Sequence, residues 1–211
     1  MNILILGAAG QISSFLIPTI LDEMPEAELK LFARNAHKRL SNANDNVTLV
    51  DGDFNETDKL VQSMQGVDVV YLNDMMGTKE TESVVSAMER AGMKRLIGAT
   101  VLGLYDEVGG AFGRWNDRMI GGILQTFKAP AAAVEHADLD YTLLRLTWLY
   151  DQAGNEDYML TVKGEPFVGA QVTRQAVVRL VMNLLKDNTL YIRESLGVSE
   201  PDTDWEKPSF Y

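Results

Sequence analysis

An apolar run, Ile3-Leu4-Ile5-Leu6, ends in Gly7-Ala8-Ala9-Gly10-Gln11-Ile12-Ser13, where a helical pattern begins at once. A strand that breaks at a glycine and passes directly into a helix constrains this chain more than any other feature. It points the free N–H groups and the positive dipole end of the helix at the turn, where an oxyanion such as phosphate is the natural occupant. Gly7 permits the turn and Gly10 lets a diphosphate approach the backbone. Ser13 stands where a third glycine would allow close helix-to-strand packing, and serine is small enough to substitute. Taken alone, the turn reads either as a phosphate site or as an ordinary strand-turn-helix.

Short β-rich runs alternate with longer helical patterns through the rest of the chain, the order of repeated βαβ units and a parallel sheet. Strands are expected at 3–6, 29–32, 47–49, 69–72, 95–99 and 142–146. Most are almost wholly apolar, as in strands covered by helices on both faces. Helices are expected near 11–24, 57–64, 79–91, 114–136 and 174–186. The last is the clearest: Thr173 is placed as its N-cap, and Ala176, Val177, Leu180, Val181, Leu184 and Leu185 form a one-sided stripe. Pro18 lies inside the first helix, where its missing N–H and steric clash cost about 3 kcal/mol or force a bend, and a bend is expected.

A length of 211 residues suits one α/β domain. The expected fold is a doubly wound parallel sheet with helices on both faces, a single domain over 1–211. Within it, a small substrate-side segment is expected around 150–169 and a tail at 199–211. The tail carries two prolines, several carboxylates, Trp205, Phe210 and Tyr211. It is either a loosely held acidic end or a segment that packs back onto the domain or a partner subunit.

The chain has no cysteine, which excludes disulfides, thiolate metal sites and cysteine nucleophiles. Its formal charge of −11 repels phosphate backbones, and no run of Lys or Arg forms a compensating stripe, so nucleic acid is not an expected partner. The first residues lack a basic segment and the apolar run stops at the glycine turn, so neither a signal peptide nor a membrane span fits, and a cytoplasmic location is expected. A monomer or homodimer acting on a small molecule is the expected form.

The second strand ends Leu31-Phe32-Ala33-Arg34-Asn35. An acid here would bind the 2′-hydroxyl of NAD, whereas an arginine suits the 2′-phosphate of NADP. Arg34 offers a planar, permanently charged fork, and His37, Lys38 and Arg39 complete the one dense basic cluster in an acidic chain. The alternative is a solvated loop. Asp51-Gly52-Asp53-Phe54 follows the third strand and Asn73-Asp74 the fourth, both at carboxyl ends, where open α/β sheets bind ligands. A surface turn explains Asp-Gly equally well.

With these features in place, the sequence resembles the atypical short-chain dehydrogenase/reductases, specifically the small NAD(P)H-binding, NmrA-like branch often described as NAD-dependent epimerase/dehydratase. The resemblance covers nearly the whole chain. It rests on Gly7-x-x-Gly10, Arg34, Gly52-Asp53, Gly66-Val67-Asp68-Val69-Val70, Lys94-Arg95-Leu96-Ile97 and Asp140-Tyr141-Thr142-Leu143-Leu144-Arg145. It implies a Rossmann-type fold in which Asp53 meets the adenine, the ends of strands four and five line the nicotinamide-side cleft, and Thr147-Trp148-Leu149 close over the nicotinamide. The implied cofactor-binding set is Gly7, Ala9, Gly10, Gln11, Ile12, Arg34, Asp53, Phe54, Asn73, Thr100, Thr147, Trp148 and Leu149.

One departure bears on function. Catalytic members carry Tyr-x-x-x-Lys, whose lysine lowers the tyrosine pKa so that the phenol can pass a proton. Here the sequence is Tyr105-Asp106-Glu107-Val108-Gly109, so the dyad is absent. Thr100 stands where the family often has a substrate-orienting serine. Tyr105 reads as a proton donor or as cleft lining, and Lys128 as a residue approaching the cleft or as an exposed helix lysine. His37 and His136 lack the company of a metal site, and no metal is expected. No Gly-x-Ser-x-Gly elbow is present, which argues against a Ser-His-Asp hydrolase. Met75-Met76, Trp115 and Trp148 wall an apolar pocket or belong to the core.

The leading expectation is an NADP(H)-binding oxidoreductase, with NAD as the alternative cofactor, reducing a small carbonyl, quinone or flavin-like acceptor. The cofactor would carry the hard chemistry. The rival is a non-catalytic NADP(H)-sensing regulator, which loss of the dyad favours. Epimerase or dehydratase chemistry ranks third, because it also leans on the missing pair.

Overall fold

The computed structural model describes residues 1–40, 44–75 and 77–211. Met76 therefore lies outside the described residues. In chain order the elements are β1 (Asn2–Leu6), α1 (Gln11–Glu23), β2 (Glu28–Ala33), α2 (Ala36–Arg39), β3 (Val47–Asp51), α3 (Thr57–Ser63), β4 (Val69–Leu72) and α4 (Thr78–Ala91). There follow β5 (Arg95–Val101), α5 (Gly110–His136), β6 (Asp140–Leu146), β7 (Trp148–Tyr150), β8 (Met159–Val162), β9 (Gln171–Thr173), α6 (Arg174–Lys186) and β10 (Glu194–Ser199).

The main sheet has the order β3-β2-β1-β4-β5-β6-β10-β8, and β7 pairs with β9 in a separate two-stranded sheet. Every main-sheet pairing is parallel except β8 with β10. The chain is thus a single-domain α/β fold, and β1 shows why its strands are apolar throughout. Ile3 and Ile5 face a core built with Leu16 and Ile20 of α1 and Val177 and Leu184 of α6. Leu4 and Leu6 face the opposite core, with Leu60 of α3, Val84 of α4 and Val134 of α5. A strand sealed on both sides has no polar face to show.

The six expected strands are all present. Four further strands were not anticipated. β10 is the instructive one, because Glu194-Ser195-Leu196-Gly197-Val198-Ser199 has too few apolar residues to look like a buried strand, yet all but Glu194 are buried. Its small residues make room for neighbours: a Cβ on Gly197 would stand 2.7 Å from the Phe167 ring. The longest helix, α5, starts at Gly110 rather than 114 and runs through Pro130. α1 continues from Gln11 to Glu23 with Pro18 inside it. Thr173 caps α6 as expected, its Oγ1 accepting from Ala176 N at 2.9 Å.

The final segment packs back onto its own domain. Ala170 N donates to Thr203 O at 2.8 Å and Ser209 N to Gln171 Oε1 at 2.9 Å. The Tyr211 ring lies 5.2 Å from Trp115 and 5.1 Å from Trp148. Among the described residues, no helix is long and apolar enough to cross a membrane.

Helices α1 and α6 are clamped at their ends by Glu23, which accepts from Arg179 at 2.9 Å and from Lys186 at 2.6 Å. Hydrogen bonds from Arg179 and then Lys186 hold the Glu23 carboxyl down from an ordinary 4.5 to about 2. A depressed carboxylate contributes stability above its unfolded pKa, and that contribution is lost as pH falls through the folded value. Glu23→Gln is therefore expected to be less stable than wild type near neutral pH, with the gap closing between about pH 5 and pH 2. Urea unfolding at stepped pH measures this, and a gap that ignores pH would contradict it.

Candidate functional site

In the order β3-β2-β1-β4, the chain direction away from β1 reverses, so a crevice opens beyond the carboxyl ends of β1 and β4. The glycine turn fills its floor. Gly7 has a φ of 80°, and the N–H groups of Gly7 and Ala8 both donate to Phe32 O, at 3.0 and 3.1 Å. α1 then begins on Gly10 with no side-chain cap and no acid in its first turn. Those first N–H donors have no partner from the N-cap side chain, whereas α6 is capped by Thr173. An uncapped helix end beside a crevice is suited to an anion.

Ser13 does more than substitute for glycine. It is fully buried, and its hydroxyl lies 3.2 Å from Gly7 O and 3.1 Å from Asn73 Oδ1, tying α1 and the turn to the end of β4. The role expected for Gly10 also sharpens. A Cβ there would overlap Asn73 Nδ2 and stand 3.1 Å from Gly7 O, so the glycine accommodates the Asn73 side chain as well as leaving the amides open.

Two cavities meet along this crevice. The first, about 430 Å³, is lined by Gly7, Ala9, Gly10, Ala33, Arg34, Arg39, Gly52, Asp53, Phe54, Asn73, Asp74, Gly77 and Glu80. The second, about 550 Å³, is lined by Gln11, Ile12, Asn73, Asp74, Ala99, Thr100, Val101, Leu102, Ile120, Phe127, Leu146, Thr147, Trp148, Leu149 and Arg174. Asn73 and Asp74 belong to both. Each residue of the expected cofactor-binding set therefore lines one cavity or the other.

In the first cavity Arg34 is an open, 75% exposed side chain whose Nε stands 3.9 Å from Asp53 Oδ2. Asp53 is held below the usual carboxylate range, chiefly by hydrogen bonds from the Asn55 backbone and side chain, with Arg34 adding a smaller attraction. Arg39 Nη2 donates to Ala9 O at 3.2 Å, which carries the basic cluster over the glycine turn. Gly52 is required by Phe32, whose Cε2 would lie 2.8 Å from an added Cβ.

In the second cavity the Thr100 Oγ1 is buried and has no hydrogen-bond partner among the described residues. Trp148 is fixed from three directions: its indole N–H donates to Asn116 Oδ1 at 2.9 Å, and the rings of Trp115 and Tyr211 lie 4.8 and 5.1 Å away. Trp115 thus backs the wall formed by Trp148. Met75 is core, packed under Gly98.

The expected proton-transfer residues do not assemble. Tyr105 and Lys128 line neither cavity. The Tyr105 hydroxyl donates to Glu135 Oε1 at 2.7 Å and lies 3.0 Å from Ser195 Oγ, and burial pushes its pKa up. Lys128 is paired with Asp106 at 3.0 Å. The cause is Glu107, whose carboxylate accepts from Gly103 N at 3.0 Å, from Tyr105 N at 2.8 Å and from buried Arg145 at 2.5 Å. That ion pair folds the loop after β5 toward β6 and takes Tyr105 with it. Thr100, in β5 itself, stays at the cavity.

Lining residues outside the expected set include Arg39, Asp74 and Arg174. The first two sit inside motifs already singled out, the basic cluster and Asn73-Asp74. Arg174 reaches Gln11 across 163 residues of sequence, and no local pattern announces such a contact.

An uncapped helix end at a crevice between two cavities, with arginines at one end and an indole wall at the other, defines a dinucleotide-binding α/β protein. The chain belongs to the NAD(P)H-binding family, which matches residues 7–188. A short-chain dehydrogenase/reductase from Veillonella parvula, solved in complex with NADP, is 35% identical over 99% of this chain and 99% of its own, with a TM-score of 0.94. A Rossmann-fold NAD(P)-binding family protein from Shigella flexneri is 34% identical over 100% of this chain and 98% of its own, with a TM-score of 0.81. The fold is shared more distantly by ChuY, an anaerobillin reductase from Escherichia coli O157:H7, 20% identical over 99% of this chain and 100% of its own, with a TM-score of 0.79. No protein of curated function matches the sequence. The cofactor is NAD(P), and this chain's own residues fit it: open helix amides, a glycine turn with room above it, and an orphaned hydroxyl on Thr100 at the far end.

Proposed function

We propose that the protein is an NADP(H)-dependent reductase of a small, flat acceptor of the conjugated carbonyl, quinone or flavin type. One observation carries this reading: the two cavities share Asn73 and Asp74, so one extended ligand can reach from Arg34 and Arg39 to Thr100 and Trp148. Arg34 and Arg39 hold the 2′-phosphate, Asp53 and Phe54 border the adenosine, and the N–H groups opening α1 take the diphosphate. Thr147, Trp148 and Leu149 close over the nicotinamide, while Thr100 orients the acceptor. The segment around 150–169 borders the substrate side. NADPH bound here supplies hydride.

The acceptor class follows from what the second cavity offers. Among its described lining residues there is no Tyr, Lys or His. A conjugated acceptor spreads the arriving charge and demands little proton transfer from the protein, which an aliphatic ketone would need. The same observation favours the second reading, a protein that binds NADP(H) without turnover. NADPH oxidation across quinones, flavins and aromatic aldehydes separates the two. Turnover above background is expected, whereas tight NADPH binding with silence across the panel would establish the sensor.

Cofactor preference is checked separately. Wild type is expected to bind NADPH about tenfold or more tighter than NADH, since a charge-assisted contact to the 2′-phosphate is worth about 1.5–3 kcal/mol. Arg34→Ala is expected to erase most of that difference, and equal wild-type affinities in a fluorescence titration would refute the assignment.

A further inference from the structure

We propose that Arg174 receives an oxyanion carried by the acceptor, so that the second cavity selects a planar electron acceptor bearing a carboxylate or phosphate arm. This inference rests on the reductase reading and names the substrate class of that same site. Arg174 opens α6 and lines the second cavity but not the first. It is therefore apart from Arg34 and Arg39, which serve the opposite end. The same cavity is also lined by Trp148, Leu149, Phe127 and Ile120, so it pairs a guanidinium with a largely apolar lining.

The guanidinium is held ready rather than consumed. Nη2 donates to Gln11 Oε1 at 2.7 Å and Nη1 to Asp151 Oδ1 at 2.8 Å, while Nε has no partner among the described residues. Five N–H donors in a rigid fork can serve an incoming carboxylate or phosphate in addition to the neutral Gln11. The present anionic partner is replaceable, because the Asp151 side chain is 55% exposed against 14% for Arg174. Giving up an exposed carboxylate costs little. The whole-molecule charge favours a local cation at an anion site. With a formal charge of −11, the protein's field opposes entry of any anion, and a local guanidinium offsets that field inside the cleft. The cofactor's diphosphate is the other oxyanion within reach, and the test separates the two.

The test uses FMN and riboflavin, which share one ring system and differ by a phosphate. Their binding is followed by flavin fluorescence on the full chain saturated with NADP⁺, where no hydride can move. FMN is expected to bind about tenfold more tightly than riboflavin, the scale of a charge-assisted contact. Arg174→Met should bring FMN down to the riboflavin level and leave NADP⁺ affinity within about twofold. Asp151→Asn should tighten FMN and leave riboflavin unchanged. Equal wild-type affinities, binding of neither flavin, or a loss of NADP⁺ affinity in Arg174→Met as large as the loss for FMN would overturn the proposal. If Arg174→Met fails to fold, Asp151→Asn decides: tighter FMN alone supports the assignment, and no change overturns it. Selective FMN binding without NADPH oxidation would instead count against the reductase reading and leave the anion site standing.

Discussion

Gly10→Val is expected to weaken NADPH binding by about two orders of magnitude while leaving the protein folded. Gly10 has φ −81° and ψ 165°, an extended conformation that valine adopts readily, so the backbone gives no reason for unfolding. The conflict lies in the site. A Cβ there overlaps Asn73 Nδ2 and stands 3.1 Å from Gly7 O, and a branched side chain at this N-cap position is expected to crowd the N–H groups that open α1. Asn73 belongs to both cavities, so displacing it narrows the passage between them. The overpacking itself lowers stability, by about 1–3 kcal/mol, whereas affinity falls through the obstructed charge-assisted amide contacts to phosphate, worth about 1.5–3 kcal/mol. A loss of about 2.7 kcal/mol from those contacts is a hundredfold in affinity. Calorimetric titration beside a thermal melt measures both parts, and wild-type affinity in a folded Gly10→Val protein would remove the diphosphate from the start of α1.

Glu107→Ala is expected to produce a large loss of stability. Arg145 is fully buried in β6 and donates to Glu107, to Thr161 O at 2.9 Å and to Ser195 O at 3.2 Å. Its Nε already lacks a partner among the described residues. Removing the carboxylate leaves a buried guanidinium uncompensated, at a cost of about 3–5 kcal/mol. For a domain of this size that lowers the melting temperature by roughly 10 °C. The same change frees the N–H groups of Gly103 and Tyr105, so the loop after β5 loosens too. Replacing both partners, Glu107→Leu with Arg145→Met, should recover most of the loss, since two apolar groups leave no buried charge behind. A melting temperature for Glu107→Ala within about 2 °C of wild type would show that the pair does not hold this loop.

The sequence carried the fold well where burial on both faces makes strands continuously apolar, as in β1 with Ile3 to Leu6 and β4 with Val69 to Leu72. It carried β10 poorly, because that strand is buried by means of Ser195, Gly197 and Ser199, small residues that make room for Phe167 and receive Arg145. The cofactor end of the site was legible because its residues fall at strand ends and in one turn, positions that local pattern marks. The Tyr105 expectation came from sequence proximity to β5, and that for Lys128 from its place on the following helix. What holds Tyr105 is the pairing of Glu107 with Arg145, 38 residues apart, and neither residue looks unusual in its own neighbourhood; Lys128 is taken up by Asp106. Arg174 escaped notice for the same reason, since its partner Gln11 lies at the other end of the chain.

The two cavities are expected to form one NADP site running from Arg34 to Trp148. A crystal structure of this protein with NADP⁺ tests it most directly. The 2′-phosphate should lie within hydrogen-bond distance of Arg34 and Arg39, the diphosphate on the N–H groups of Gln11 and Ile12, and the nicotinamide between Thr100 and Trp148. A nicotinamide lying outside the second cavity, or a 2′-phosphate away from both arginines, would contradict the account.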